Sequence, residues 1–529
     1  MTHNENGHNE STPKNRTSTD NIETSPIDGN NFHQKQVAQK SIKLNVIMNG
    51  LYMISGIIFQ LVTYPYISRI LNPEGIGSID FSQTYISYFS MVALLGIPVY
   101  GIRACAVVRD DKEKLSKTVQ ELLIIALLMM IFSYSALSIS FFFVKKIRIE
   151  FLLTITFSAT IFLNSISMNW LYSALEEYAY IAIRSISLNV VAIIAMFLFV
   201  KTSQDYIVYA IITVCASAGS SILNLFHSRK YIIFKKPKKY DFKQHIKPVL
   251  SFFAITAIIS IYTNLDKLLL GFLIDDDNLS VGLYSTVNRI YRGLIVIVSI
   301  LGTVLLPRMS YYYKNNQKDK YFLLISKAVN FVLVFAIPLI LFFSFNASTI
   351  VLLYAGEEFS KSTNTLLILL PGILLAGLNN ITGNQILITM QKERILIISV
   401  IVGAIVDFAL NLILIPKFTY VAPAIATICA ELVILTVQVI YLKKYWKVLS
   451  SGIHLVKLLV LNVSLVIVLL GVSFIPVSQI WQLFLNAGLF GIVYFAILML
   501  FKEPMLLDIL KWKRSKTNSV SSTTNDKEA

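Results

Sequence analysis

Two short stretches place charge where charge is costly. Asn264-Leu265-Asp266-Lys267-Leu268 and Asn288-Arg289-Ile290-Tyr291-Arg292 each lie inside an apolar run long enough to cross a membrane. An ionised side chain at the centre of a bilayer costs about 2.5–3.5 kcal/mol on insertion scales, so Asp266, Lys267, Arg289 and Arg292 together would cost roughly 10–14 kcal/mol in lipid. They must therefore face a partner or a watery cavity. At 1.5 Å of rise per residue, Asp266 lies about 12 Å, Arg289 about 10 Å and Arg292 about 15 Å below the outer ends of their helices, a shared depth. Arginines three apart share a helix face. Three cations against the one acid leave a surplus near +2, and unpaired guanidinium groups bind phosphate bidentately. An anionic ligand is expected. The alternative is an internal salt bridge, Asp266 with Arg289 or Arg292, that only locks two helices together.

Other polar residues in apolar segments carry weaker expectations. Arg69, at the end of Pro65-Tyr66-Ile67-Ser68-Arg69, either supports the same ligand or snorkels to the interface. Asp407 and Asn411, four apart, share a helix face. They either join Asp266 around a small coupling cation, Na+ or H+, or bond to each other and to a neighbouring helix. Glu431 and Lys327 read as packed polar contacts, and Glu176-Glu177 as solvated loop residues. Asp275-Asp276-Asp277-Asn278 opens like a calcium loop but lacks the glycine and distal glutamate of one, so it reads as a turn. Cys105, Cys215, Cys429 and the six histidines show no metal spacing. No cofactor is expected.

The elements that position these residues follow from composition. Apolar residues make up 55% of the 529 and charged ones 14%, against about 25% charged in a soluble chain. That is an all-α polytopic membrane protein. The net charge of +16 belongs to cytoplasmic loops rather than to nucleic-acid binding. After a polar, disordered tail at 1–41, apolar runs that each span a ~30 Å core recur near 45–67, 79–101, 119–144, 151–173, 184–200, 206–227, 249–274, 282–306, 322–345, 363–390, 396–415, 421–442, 455–475 and 481–501. These make fourteen transmembrane helices, the fifth short and the tenth interrupted by Pro371-Gly372. With the N-terminus inside, the inner loops carry 24 Lys and Arg and the outer ones 7. Both termini are expected in the cytoplasm, the C-tail adding Lys511, Lys513, Arg514 and Lys516.

The basic loop at 228–248 divides the chain after six spans, and the halves repeat. Ile76-Gly77 matches Val281-Gly282, Leu95-Gly96 matches Leu301-Gly302, and Arg103 matches Arg308, at offsets of 205, 206 and 205. Two pseudo-symmetric six-helix lobes, 42–240 and 241–447, are expected to face each other across a cleft, with helices 13 and 14 (448–501) and a cytoplasmic C-tail (502–529) appended. No Walker A or Gly-x-Ser-x-Gly sequence is present, and the longest outer loop is under twenty residues. An enzyme is not expected.

Several motifs, in order along 42–447, resemble a known family. They are Tyr64-Pro65-Tyr66-Ile67-Ser68-Arg69-Ile70-Leu71-Asn72-Pro73-Glu74-Gly75-Ile76-Gly77, Leu95-Gly96-Ile97-Pro98-Val99-Tyr100-Gly101-Ile102-Arg103, Asn169-Trp170-Leu171-Tyr172, Tyr262-Thr263-Asn264-Leu265-Asp266-Lys267, Val281-Gly282-Leu283-Tyr284-Ser285 and Val304-Leu305-Leu306-Pro307-Arg308. The chain resembles Wzx-type polysaccharide flippases, the polysaccharide transporter branch of the multidrug/oligosaccharidyl-lipid/polysaccharide exporter superfamily. It departs from them at Val421-Ala422-Pro423-Ala424, where a Gly-Ala pattern is usual, and in its long N-tail. The resemblance implies alternating-access transport of an undecaprenyl-pyrophosphate-linked oligosaccharide across the bacterial plasma membrane, in contact with membrane lipid and with other polysaccharide-assembly proteins. Arg289 and Arg292 would then meet the pyrophosphate, supported by Lys267 and Arg69, while Asp266 would hold the arginines or a coupling cation. The rivals are a cation-coupled drug exporter of the related multidrug branch and a membrane-embedded assembly enzyme.

Overall fold

Helices account for nearly all the regular structure of the computed structural model, which describes residues 42–274 and 278–501; among these there is no strand. The tail at 1–41, the Asp275-Asp276-Asp277 stretch and the basic C-tail at 502–529 lie outside the described residues. α1 (Ile42–Leu94) holds the first two expected spans. It changes direction at Asn72 (φ 59°, ψ 170°), because Pro73 disfavours helix in the residue before it and Asn is among the few types that accept positive φ. A second break, at Gly96 (φ 75°), leads into α2 (Ile97–Val107). Only glycine fits there, since a Cβ would lie 2.5 Å from the Phe253 nitrogen. α3 (Lys112–Phe143) starts where the Asp111 carboxylate accepts from the backbone N–H groups of Glu113 (3.1 Å) and Lys114 (3.0 Å).

The rest of the first half comprises α4 (Lys145–Ile149), α5 (Phe151–Ser165), α6 (Asn169–Ala174), α7 (Tyr178–Phe199), α8 (Tyr206–Ala218) and α9 (Ser220–Ser228). The second half opens with α10 (Lys243–Leu273), α11 (Asn278–Lys314), α12 (Lys318–Phe345) and α13 (Ala347–Ala355). The expected tenth span breaks, as Pro371-Gly372 requires, into α14 (Ser362–Leu369), α15 (Gly372–Asn379) and a π-helical stretch, Asn380–Leu387. α16 (Glu393–Phe418), α17 (Ala422–Tyr441), α18 (Trp446–Ser451), α19 (Leu455–Ser473) and α20 (Gln479–Leu500) complete the described chain.

Among the described residues eleven helical runs are long and apolar enough to cross a membrane. Two of them, Ile47–Val107 and Glu393–Tyr441, hold two expected spans each, so thirteen of the fourteen are covered. The remaining expected span, 282–306, lies within α11. The fold is that of an all-α polytopic membrane protein. α7 is longer than the short fifth span read from the sequence, because helix begins at Tyr178.

The two halves meet where the repeat predicts symmetry. A Cβ on Gly77 would lie 1.8 Å from the Asn278 carbonyl oxygen, and one on Gly282 would lie 1.8 Å from the Pro73 carbonyl oxygen. Pro73 and Asn278, like Gly77 and Gly282, are 205 apart in sequence. The crossing of α1 and α11 is therefore self-complementary, each glycine seating the other half's backbone. Asn278 ties it to α5's approach, its Nδ2 donating to Ser78 Oγ (2.7 Å) and Glu150 Oε1 (2.6 Å). At the opposite end, the connection between halves is clamped to α3. Glu121, wholly buried, meets His245 Nε2 at 2.9 Å and accepts from the Asp241 N–H at 2.6 Å, while Gln120 donates to the Ile233 carbonyl (2.8 Å). α19 and α20 pack Leu461, Leu465 and Tyr494 against Val334 of α12.

Candidate functional site

Two of the three cations expected in the second half, Lys267 and Arg289, meet an acid of the first. α10 supplies Lys267, and α11 supplies Arg289 and Arg292. A residue not singled out from the sequence receives two of them. Asp80 of α1 is 2% exposed, and its Oδ1 lies 2.5 Å from Arg289 Nη2 and 4.0 Å from Lys267 Nζ. The bridge thus runs between halves rather than within one. A charge buried to this degree requires such pairing.

Tyr64 holds the guanidinium from its other side. Its ring centroid is 4.9 Å from the Arg289 guanidinium carbon, its opposite face stacks on Tyr354 at 4.7 Å, and its hydroxyl meets Thr286 Oγ1 at 2.5 Å. A cation over an aromatic face gains about 0.5–2 kcal/mol with increasing desolvation. Arg289 nevertheless keeps 28% of its side chain accessible. That part lines a cavity of about 230 Å³ between α1, α7 and α8, alongside Gln60, Tyr64, Gln83, Asn189 and Tyr209. Arg292, though one turn from Arg289, points the other way and donates to the Thr263 carbonyl of α10. Among the described residues no carboxylate is in salt-bridge contact with it.

Asp266 pairs with neither arginine, which sets aside the alternative of a salt bridge within the second half. It is 4% exposed and sits in a separate, oxygen-rich nest. Tyr284 donates to its Oδ2 at 2.5 Å, Asn411 Nδ2 to its Oδ1 at 2.9 Å, and Thr427 Oγ1 lies 3.4 Å from Oδ2. The Asp407 carboxyl lies near that of Asp266, and its buried Oδ1 has no hydrogen-bond partner among the described residues. Two carboxyl groups so placed need a proton or a cation between them. Asn411 also donates to the Asp407 carbonyl (3.0 Å) while joining Asp266, so the pair's contacts are those of residues bonded to each other and to a neighbouring helix. Glu431, nearby in α17, accepts from Tyr262 (2.8 Å) and Asn379 (2.6 Å).

Arg69 stands apart from both groups. It is exposed, and its guanidinium donates to the carbonyls of Pro65, Leu352 (3.1 Å) and Leu353 (2.7 Å), tying α1 to the last turn of α13. Glu176 pairs with Arg109 at 2.8 Å and Glu177 accepts from Tyr231 at 2.6 Å. Asp80 also corrects the charge count. With it beside Lys267, Arg289, Arg292 and Asp266, the surplus falls from near +2 to near +1.

This architecture matches known proteins. Two solved structures share the fold: "Lipid II flippase MurJ, inward closed conformation", with a TM-score of 0.63 at 16% identity over 88% of this chain and 100% of that one, and an outward-facing multidrug resistance MATE family transporter of the MOP superfamily, with a TM-score of 0.52 at 14% identity over 77% of this chain and 96% of that one. In sequence, the chain is 22% identical over 409 residues to a protein of Escherichia coli (strain K12) named "Putative O-antigen transporter", covering 76% of this chain and 97% of that one. A Shigella dysenteriae protein of the same name is 23% identical over 371 residues, covering 69% and 91%. The model of the family described as "Polysaccharide biosynthesis protein" matches residues 42–313, more than half of the chain and every residue of the Asp80–Lys267–Arg289 bridge. The chain belongs to the polysaccharide biosynthesis protein family.

Proposed function

We infer that this protein is a flippase that carries an undecaprenyl-pyrophosphate-linked oligosaccharide from the inner to the outer leaflet of the bacterial plasma membrane. The observation that carries the reading is Arg289, a cation deep in the bilayer, shared between an acid of the other half and a polar cavity. A fully neutralised arginine with no space beside it would be a strut. One that keeps part of its surface toward a cavity, with Lys267 next to it, can exchange its carboxylate for a diphosphate. Arg289 and Lys267 would meet the head group first, and Arg292 would meet it deeper along α11.

The lobes 42–240 and 241–447 would rock about this site in alternating access, with 448–501 appended. The basic-residue asymmetry supports placing both termini in the cytoplasm, which puts the Gly77–Gly282 crossing at the outer face. Asp266, Asp407, Asn411 and Thr427 would take the coupling Na+ or H+. Moving net negative charge outward also runs with an inside-negative potential, worth about 2.3 kcal/mol per charge per 100 mV.

The test is Arg289→Ala and Arg292→Ala in cells lacking the chromosomal gene. Surface polysaccharide should disappear while the protein still reaches the membrane and lipid-linked oligosaccharide accumulates on the inner face. Normal polysaccharide in both variants would overturn the assignment. Altered dye or drug resistance with intact polysaccharide would move the protein to the multidrug branch.

A further inference from the structure

The cavity beside Arg289 has a chemistry of its own. Arg289 alone among its lining residues is charged, and it enters from α11; the rest of the wall comes from α1, α7 and α8. That wall presents three carboxamides, Gln60, Gln83 and Asn189. None has a hydrogen-bond partner among the described residues, and Gln60 and Gln83 are exposed although both lie in membrane-spanning helix. Three amides from three helix segments, without protein partners and within membrane-spanning helix, keep their donors and acceptors free for something polar in the space between them.

Three aromatic side chains complete the wall. Tyr64 is used on both faces, by Tyr354 and Arg289. Phe59 and Tyr209 also line the cavity, and neither stacks on another ring or cation among the described residues. Carboxamides offer donors and acceptors at once, as a sugar hydroxyl does. An aromatic face, negative at its centre, suits the C–H face of a sugar ring. The volume, about 230 Å³, is of the order of one ring, given that water occupies about 30 Å³ per molecule.

We propose that this cavity is the subsite for the first sugar of the glycan, a neutral pyranose ring attached directly to the pyrophosphate. The assignment rests on the flippase reading and deepens it. The halves divide the ligand: the second half supplies the cations for the diphosphate, and the first half supplies the amides and aromatic faces for the sugar. Arg289 stands at the seam, where the glycosidic phosphate would lie. A charged first sugar would find no matching group, because the single lining cation already faces Asp80 and the phosphate.

The test measures binding to the purified full-length protein of three probes: undecaprenyl pyrophosphate, and the same lipid carrying one N-acetylglucosamine or one galactose. The wild type should bind at least one glycosylated probe about tenfold or more tighter than the bare lipid. Asn189→Leu and Gln83→Leu should erase that preference while leaving affinity for undecaprenyl pyrophosphate within about twofold. Arg289→Ala should weaken all three. A preference untouched by Asn189→Leu, Gln83→Leu and the Gln60→Leu variant, equal losses for bare and glycosylated lipid, or a wild type indifferent to both sugars would overturn the subsite and leave the flippase standing. A wild type that binds none of the three would overturn the flippase reading beneath it.

Discussion

The Gly77–Gly282 crossing gives a perturbation whose size follows from distances. Adding a methyl group at either position brings carbon to 1.8 Å from a carbonyl oxygen of the facing backbone. Relaxed C···O contacts in packed helices begin near 3.3 Å, so α1 and α11 must separate by about 1.5 Å where they cross. Overpacking of this kind costs about 1–3 kcal/mol. The cost falls only on the state in which the two helices touch, so Gly77→Ala or Gly282→Ala should shift the balance toward an outwardly parted state by about 5–150-fold. Thiol labelling reads this directly. In a background with Cys105, Cys215 and Cys429 replaced by Ala, Ser285→Cys places a reporter that is wholly buried one turn inside the crossing. A membrane-impermeant maleimide applied from outside should label it at least fivefold faster in either glycine variant than in the parent. Gly293→Ala, in the same helix with open space at its Cα, should change nothing. Unchanged labelling in both variants, with melting temperatures equal to that of Gly293→Ala, would refute the idea that this contact holds the outer end closed.

Asp80→Asn removes the acid shared by Arg289 and Lys267; it should tighten binding of undecaprenyl pyrophosphate while lowering stability by less than the roughly 3–5 kcal/mol of a fully buried broken pair, because Arg289 keeps access to the cavity. Isothermal titration and thermal melts check both halves of that statement, and weaker binding would contradict it. Asp266→Asn and Asp407→Asn should each abolish the dependence of transport on an imposed Na+ or proton gradient in proteoliposomes, whereas retained gradient dependence in both would remove the nest from coupling. Arg69→Ala should cost about 0.5–1.5 kcal/mol of stability for each bond to the α1 and α13 carbonyls that water does not replace, with lipid-pyrophosphate affinity unchanged. A loss of affinity would return Arg69 to the ligand.

The helices were legible because a bilayer permits little else: each backbone group in lipid must be satisfied within its own segment, and apolar length then marks the span. The internal repeat was legible for a related reason. Only a residue without a side chain fits where two backbones touch, so Gly77 and Gly282 stayed in matching places. What the hydropathy pattern hid was where spans begin. Pro73-Glu74-Gly75 reads as loop, and the expected second span starts at 79, yet the helix resumes directly after Asn72.

That six-residue difference in where the helix begins conceals the depth of Asp80. With a span beginning at 79, the carboxylate sits about 2 Å from the helix end and needs no explanation; with helix from Pro73, it sits about 10 Å deep. At that depth its cost demands a cation, and the unmatched cations of the second half were already visible in Lys267, Arg289 and Arg292. The charge surplus that pointed to an anionic ligand was thus partly a debt owed to another helix. Asp266 misled in the opposite sense. Its proximity in sequence to Lys267 and its depth beside Arg289 suggested a bridge within the second half, but successive residues on a helix point about 100° apart. The side chain of Lys267 turns to α1, and that of Asp266 turns to Asn411 and Thr427. Depth says which charges can meet; azimuth decides which do, and azimuth is set by packing between helices far apart in sequence. An acid that joins the two halves must come from the half without the cations. That criterion selects Asp80 over Asp266, and it makes the ion pair one that separation of the halves must break.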